Sequence, residues 1–232
     1  MPKQISKELQ ILKRSPIFQG IEMEDLLKIV SKGQWKRVNK GVNLLQQGEN
    51  AECVYILVEG KTKLTQLSSE GNQVVLRILG PGQIIGGVAV LENASYPATA
   101  LATEKCHLFC LNKKSLTGLM SEYPAISMNV VKLLLRRIQE LQERFRELAT
   151  ERVEKRMART ILRLAQHQGR KIPQGVLIDV PLTRQDLAEI TGTTLFTASR
   201  LLKSWEAQGL LGSEKKKLIL KKPEELRSLA EQ

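Results

Sequence analysis

Phe196, Ser199, Arg200 and Lys203 recur at a spacing that places them on one face of a helix. The opposite face carries an apolar stripe of Ala198, Leu201, Leu202 and Trp205, with Leu195 on the boundary. Just upstream, Thr183-Arg184-Gln185-Asp186 opens an earlier helix in capping-box fashion, and Leu187, Ala188 and Ile190 supply its inner face. Gly192 separates the two at a turn position that tolerates positive φ, and Thr194 caps the second helix. Two helices joined by a tight glycine turn, the second with an outward Ser-Arg-x-x-Lys face, read as a helix-turn-helix. Beyond it, Leu210-Leu211, Ser213-Glu214-Lys215-Lys216-Lys217 and Leu218-Ile219-Leu220 read as a β-hairpin wing. Its tip, with Lys216, is placed to neutralise phosphates.

The other reactive side chains are sparse. Cys53, Cys106 and Cys110 form an odd set, which argues against a secreted disulfide scaffold. Cys106 and Cys110 lie four apart on one predicted strand, about 13 Å at strand rise, too far for a disulfide. Cys106 reads as a small buried hydrophobe. The two histidines have no carboxylate companions in sequence: His107 reads as pointing outward from its strand, and His167 as ending a helix near its negative dipole end. No metal-ligand spacing, Walker loop or Ser-His-Asp arrangement is present, so neither a metal site nor an enzyme is expected.

The chain has 232 residues, 42% hydrophobic and 26% charged, which reads as globular with one large domain or two. No apolar run approaches the roughly 20 residues of a membrane span, and no signal-peptide core is recognisable, so a cytoplasmic protein is expected. The net charge of +12 suggests an anionic partner, nucleic acid before membrane. Half of the excess, sixteen basic against ten acidic groups, lies after residue 150. Nine aromatics offer few stacking platforms for single strands, so double-stranded DNA is favoured.

The elements that must position these residues fall into three parts. Residues 1–125 begin with helical spacing at Ile5–Leu12 and Met23–Val30. Short β-like runs follow at Val42–Leu45, Cys53–Val58, Lys61–Leu67, Val74–Ile78, Ala98–Leu101 and Cys106–Leu111. Turn clusters between them predict a compact antiparallel barrel or roll. Residues 126–152 form a dimerisation helix and hinge: Val131, Leu134, Ile138, Leu141, Phe145 and Leu148 are spaced 3-4-3-4-3, a heptad seam for a parallel homodimeric coiled coil. Residues 153–232 hold a helix at Val153–Gln166, a short β element around Lys171–Val180, and the winged helix-turn-helix. The fold class is α+β.

This order resembles the CRP/FNR family of bacterial transcription regulators, from roughly Pro16 to Leu220. The resemblance rests on Gly48-Glu49, Val54-Tyr55-Ile56-Leu57-Val58-Glu59-Gly60, Gly80-Pro81-Gly82-Gln83-Ile84-Ile85-Gly86, Leu182-Thr183-Arg184-Gln185-Asp186-Leu187-Ala188 and Thr197-Ala198-Ser199-Arg200-Leu201-Leu202. It implies a cyclic-nucleotide-binding-like β-roll, a dimerisation helix and a C-terminal winged helix-turn-helix that reads a near-palindromic operator. It implies that Arg200 reads guanine, that Ser199 contacts bases, and that Arg184, Thr194 and Thr197 hold the DNA backbone. Phe196 departs from the family, whose members usually carry a glutamate there to accept from cytosine; a phenyl ring can pack on a thymine methyl instead. A half-site different from the usual family one is expected.

In cyclic-nucleotide-binding relatives a glutamate holds the ribose hydroxyl and an Arg-Ser pair holds the phosphate. Here those positions fall in Gly86-Gly87 and at Pro97-Ala98, so cyclic AMP is not expected as the effector. The effector segment is read as Gly86, Gly87, Tyr96, Pro97, Ala98 and Thr99, its small molecule unidentified. An iron–sulfur cluster of the FNR kind needs four cysteines, mostly near the N-terminus, and is not expected either. Haem, sensed by some relatives, stays open through His107, His167 or an N-terminal Pro2. The roll would act by shifting populations of dimer states, through the packing of the helix around Val131–Leu148 against the region near Thr150–Val153. RNA polymerase is a further partner if the protein activates. The rival reading is a ligand-binding regulatory module acting on a protein partner.

Overall fold

The computed structural model describes residues 2–214 and 217–231, with side chains from Lys7 onward. The chain forms two compact units, Met1–Gln139 and Glu140–Gln232.

The first unit opens with α1 (Pro2–Arg14), a single 3₁₀ turn at Pro16–Phe18 and α2 (Met23–Ser31). The strands that follow are β1 (Gln34–Val38), β2 (Asn43–Leu45), β3 (Cys53–Glu59), β4 (Thr62–Leu67), β5 (Gln73–Leu79) and β6 (Ile84–Ile85). Helix α3 (Gly87–Glu92) leads to β7 (Thr99–Ala102), β8 (Cys106–Asn112) and α4 (Lys113–Glu122). They form two four-stranded sheets, ordered β1-β8-β3-β6 and β2-β7-β4-β5, with antiparallel pairing throughout. Ile56, Leu57, Leu108 and Phe109 are fully buried in a core that also takes in Leu12, Leu26 and Ile29 from the first two helices and Phe18 from the turn between them. This is the antiparallel roll that the turn spacing predicts. Strand β1 gives no such signal: only Val38 is buried, so no apolar alternation marks it, and its place comes from backbone pairing with β8. Helix α4 is set by Asn112, whose side chain accepts from the Ser115 amide at 2.8 Å, and by Leu116 and Leu119, which are buried.

Helix α5 (Pro124–Thr150) runs from the first unit into the second. At its start Ile126 is buried, and the Asn129 Nδ2 donates to Ile17 O at 3.2 Å and Gln19 O at 2.8 Å. Further along, Val131, Ile138, Leu141, Phe145 and Leu148 are exposed, Phe145 by 74%, and Leu134 is half-buried.

The second unit contains α6 (Val153–Gln168), the hairpin β9 (Gly169–Ile172) and β10 (Gly175–Ile178), α7 (Arg184–Thr191) and α8 (Leu195–Ala207). It ends with β11 (Leu211–Glu214), β12 (Lys217–Leu220) and α9 (Pro223–Glu231). The strands make one sheet ordered β11-β12-β10-β9. Helix α9, which the sequence reading lacks, carries only Leu226 and Ala230 as buried residues and packs on α6.

Candidate nucleic-acid interface and effector segment

Helix α7 begins with a full capping box. The Thr183 hydroxyl accepts from the Asp186 amide at 3.0 Å, and the Asp186 carboxylate accepts from the Thr183 amide at 2.9 Å. The helix ends at Gly192, which is left-handed at φ 61, a conformation that costs a side chain about 1–2 kcal/mol. The turn delivers the chain to Thr194, whose hydroxyl accepts from the Thr197 amide at 3.2 Å and donates to Thr197 Oγ1 at 3.0 Å. Helix α8 buries Ala198, Leu202 and Trp205 almost completely. Phe196, Arg200 and Lys203 are exposed and Ser199 is half-buried on the other face, with Phe196 exposed by 78%. The helix is thus anchored by one stripe and presents the other, as the wheel predicts.

Two basic groups already have protein partners. Arg184 is half-buried at the start of α7, its Nη2 3.7 Å from Glu206 Oε2 on α8. In the wing, Lys217 pairs with Asp179. Lys215 and Lys216 lie outside the described residues.

Behind the helix-turn-helix a cluster of ions joins α5, α6 and α7. Arg163 grips the buried Glu147 carboxylate with both guanidinium nitrogens, at 2.5 and 3.0 Å. Arg156 is buried and donates to Glu151 O at 2.7 Å, Thr191 O at 3.1 Å and Gly192 O at 3.4 Å. One guanidinium therefore satisfies carbonyls at the ends of two helices. Leu148, the last residue of the predicted seam, reaches within 3.0 Å of where a Cβ on Gly192 would stand. The sequence reading missed this cluster, because its partners are distant in the chain.

In the roll, the predicted effector residues are divided. Gly86 is left-handed at φ 81, and a Cβ there would meet the Tyr96 ring at 2.9 Å. Tyr96 is buried, and its hydroxyl accepts from the Cys53 amide at 3.1 Å and donates to Cys53 O at 2.7 Å. Burial pushes the Tyr96 pKa up, against the lowering effect of its backbone hydrogen bonds. Ala98 is buried, and Pro97 O accepts from Gln66 Nε2 at 3.1 Å. Thr99 Oγ1 accepts from the Gln47 amide at 3.0 Å and lines a concavity of about 640 Å³ with Asn43, Lys63 and Thr65. Gly86, Gly87, Pro97 and Ala98 supply no carboxylate or guanidinium, so the residues that would hold a cyclic nucleotide's ribose and phosphate do not fit that ligand.

His107 corrects the sequence reading. It is covered rather than outward: Nδ1 lies 2.8 Å from Glu8 Oε1 on α1, and the ring stands 5.0 Å from that of Trp35. A helix whose face the strand pattern does not announce lies over that side of β8. His167 is exposed, and the Pro2 side chain lies outside the described residues. Cys106 is buried as expected, its thiol donating to Lys61 O and Glu104 O at 3.4 Å each, and burial raises its pKa.

A roll built of two antiparallel sheets, a long helix with an exposed heptad seam and a winged helix-turn-helix with a cationic outer face together define a DNA-binding regulator. The comparisons agree. Residues 35–123 match the cyclic nucleotide-binding domain, and residues 155–229 match the Crp-like helix-turn-helix domain. The cAMP-activated global transcriptional regulator CRP of Salmonella typhimurium is 31% identical over 179 residues, covering 76% of this chain and 84% of that protein. The CRP-like cAMP-activated global transcriptional regulator of Mycobacterium tuberculosis is 24% identical over 217 residues, covering 94% and 97%. Among solved structures, a CooA mutant from Carboxydothermus hydrogenoformans matches with a TM-score of 0.72 at 24% identity, covering 88% and 90%. The chain belongs to the CRP/FNR family of transcription regulators, whose members bind DNA and act as dimers. Among the described residues no helix is long and apolar enough to cross a membrane.

Proposed function

We propose that the chain works as a cytoplasmic homodimer, paired through Val131, Leu134, Ile138, Leu141, Phe145 and Leu148, which reads a near-palindromic operator with α8. Arg200 reads guanine, Phe196 packs on a thymine methyl, Ser199 and Lys203 complete the base-facing side, and Arg184, Thr194 and Thr197 hold the backbone. Lys216 neutralises a phosphate from the wing. Residues 1–125 act as sensor, 126–152 as dimer helix and hinge, and 153–232 as DNA reader. RNA polymerase is the further partner where bound protein activates. The effector is a small molecule other than cyclic AMP, since the anchors for that ligand are replaced by Gly86, Gly87, Pro97 and Ala98.

The observation that carries this reading is α8 itself: three fully packed anchors on one side, and Phe196, Arg200 and Lys203 in open solvent on the other. Selection from random DNA at fixed salt should return a half-site with guanine opposite Arg200 and thymine opposite Phe196, unlike the usual family half-site. Arg200→Ala should then cost about 1–3 kcal/mol and relax preference at that one position. Unchanged affinity and specificity in Arg200→Ala would end the assignment and favour a regulatory module that acts on a protein partner.

Haem is the second reading for the effector group, because His107 lines a concavity of about 240 Å³ with Arg37, Glu59, Lys105 and Cys106. That volume is below the roughly 300–1,000 Å³ of cofactor sites, so haem there requires the cavity to widen. A Soret band in protein purified without oxygen decides for it, and a clean spectrum decides against it.

A further inference from the structure

Cys53 and Cys110 are far apart in sequence, and the ladder between β3 and β8 makes them neighbours. Tyr55 stands directly opposite Cys110, and Cys53 opposite Asn112. Side chains alternate along a strand, so Cys53 and Cys110 share one face as a diagonal pair. Both thiols are free and half-buried.

Two thiols that are neighbours on one face of a strand pair can close a disulfide or share a metal ion, and the geometry separates these outcomes. Diagonal neighbours in an antiparallel pair have Cα atoms roughly 7–8 Å apart. A disulfide rarely spans more than about 6.8 Å between Cα atoms, so closing one here demands backbone movement. Tyr96 opposes that movement by holding both the amide and the carbonyl of Cys53. A metal ion between the sulfurs adds two bonds of about 2.3 Å to the bridge and needs no such shift. The described residues contain no group of three or more His, Cys, Asp or Glu side chains able to hold a metal, which leaves this pair without the third and fourth ligands that zinc takes. An ion satisfied by two thiolates is a soft, monovalent one.

We propose that Cys53 and Cys110 form a two-sulfur site for a soft monovalent cation of the Cu(I) class. Binding releases two protons: two thiols and one Cu(I) give a bis-thiolate complex with one net negative charge. Lys36 lies beside this pair. Its ammonium stands 5.5 Å from the centre of the Tyr55 ring, opposite which Cys110 sits.

The site is also joined to the effector segment. The Cys53 carbonyl that accepts from Tyr96 lies 3.2 Å from the Cβ position of Gly86, at the entrance to α3. An ion on the Cys53 sulfur therefore sits on the residue whose backbone Tyr96 holds beside Gly86. Its use as the signal rests on the DNA-regulator function proposed above, whereas metal retention does not.

Anaerobic titration of the full-length protein with Cu(I), against a chromophoric Cu(I) chelator, tests the site without DNA. Wild type should hold one equivalent, with two sulfur neighbours by X-ray absorption. Cys53→Ser and Cys110→Ser should each lose more than about 100-fold in affinity. Cys106→Ser, which alters the buried thiol, should retain the ion. Circular dichroism confirms that the variants are folded, and Cys110→Ala gives a second truncation without a hydroxyl. Equal retention by wild type and both ligand variants overturns the site. So does a pair that oxidises readily to a disulfide, seen by mass, and holds no copper. Operator binding is measured separately on the same samples, so loss of copper with intact operator binding rejects only this site.

Discussion

At the residue scale, much of the positive charge near α8 is already answered. Arg184 faces Glu206 at 3.7 Å and Lys217 pairs with Asp179, so a phosphate bound by Arg184 as proposed must displace the Glu206 carboxylate. Exposed pairs of this kind contribute about 0–1 kcal/mol, little enough for a phosphate to displace the acid. Glu206→Gln should therefore free Arg184, tighten DNA binding by a few-fold and steepen the salt dependence by up to about one counterion. Titrations at several salt concentrations check this, and an unchanged slope would show that Arg184 makes no phosphate contact. Buried acids in the roll give a second expectation. Burial raises the pKa of Tyr55, Cys106 and Cys110, so the folded state keeps protons that the unfolded chain releases. Unfolded thiols titrate near pH 8.5, so above about that pH the unfolded state binds fewer protons and stability must fall as pH rises. Urea midpoints should decline between about pH 7 and about pH 10, less steeply in Cys110→Ser. A flat profile would contradict the burial of these groups.

At the element scale, the link between α5 and α8 is one turn. Gly192 has a positive φ, and any Cβ there meets Leu148 at 3.0 Å. Gly192→Ala should cost about 1–2 kcal/mol from the backbone alone and also weaken operator binding, because it pushes α5 and the turn apart. Chemical denaturation and binding on one preparation test both effects; a variant as stable as wild type would rule out the left-handed turn. Arg156 and the pair of Glu147 and Arg163 hold the same junction from behind. Leu148 thus has two roles in the sequence pattern and the structure, as a seam residue and as a stop against the turn.

At the scale of the whole molecule, an apolar seam in open water is incomplete. Ile138, Leu141 and Phe145 are exposed by 51%, 63% and 74% in the single chain, and a second copy of the seam would cover them. Phe145→Glu places a charge there and should yield monomers by sedimentation. Two half-sites bound by separate monomers lose the gain from linkage, so operator affinity should fall by about 100-fold or more. A dimer that survives the substitution would place its interface elsewhere.

Much of this design was legible in the sequence, because it is written in short-range patterns. The period of two marked most strands, the heptad marked the α5 seam, and Thr183, Gly192 and Thr194 marked the turns of the helix-turn-helix. Capping, glycine conformation and helical periodicity act within a few residues, so a sequence carries them directly. What only the tertiary structure decided depends on residues brought together from distant parts of the chain. Strand β1 is held by pairing rather than burial, His107 is covered by Glu8, and Glu206 occupies Arg184. The Cys53 and Cys110 thiols meet because the register of β3 against β8 places them on one face. A shift of a single residue would have turned them to opposite faces, and no local signal sets that register.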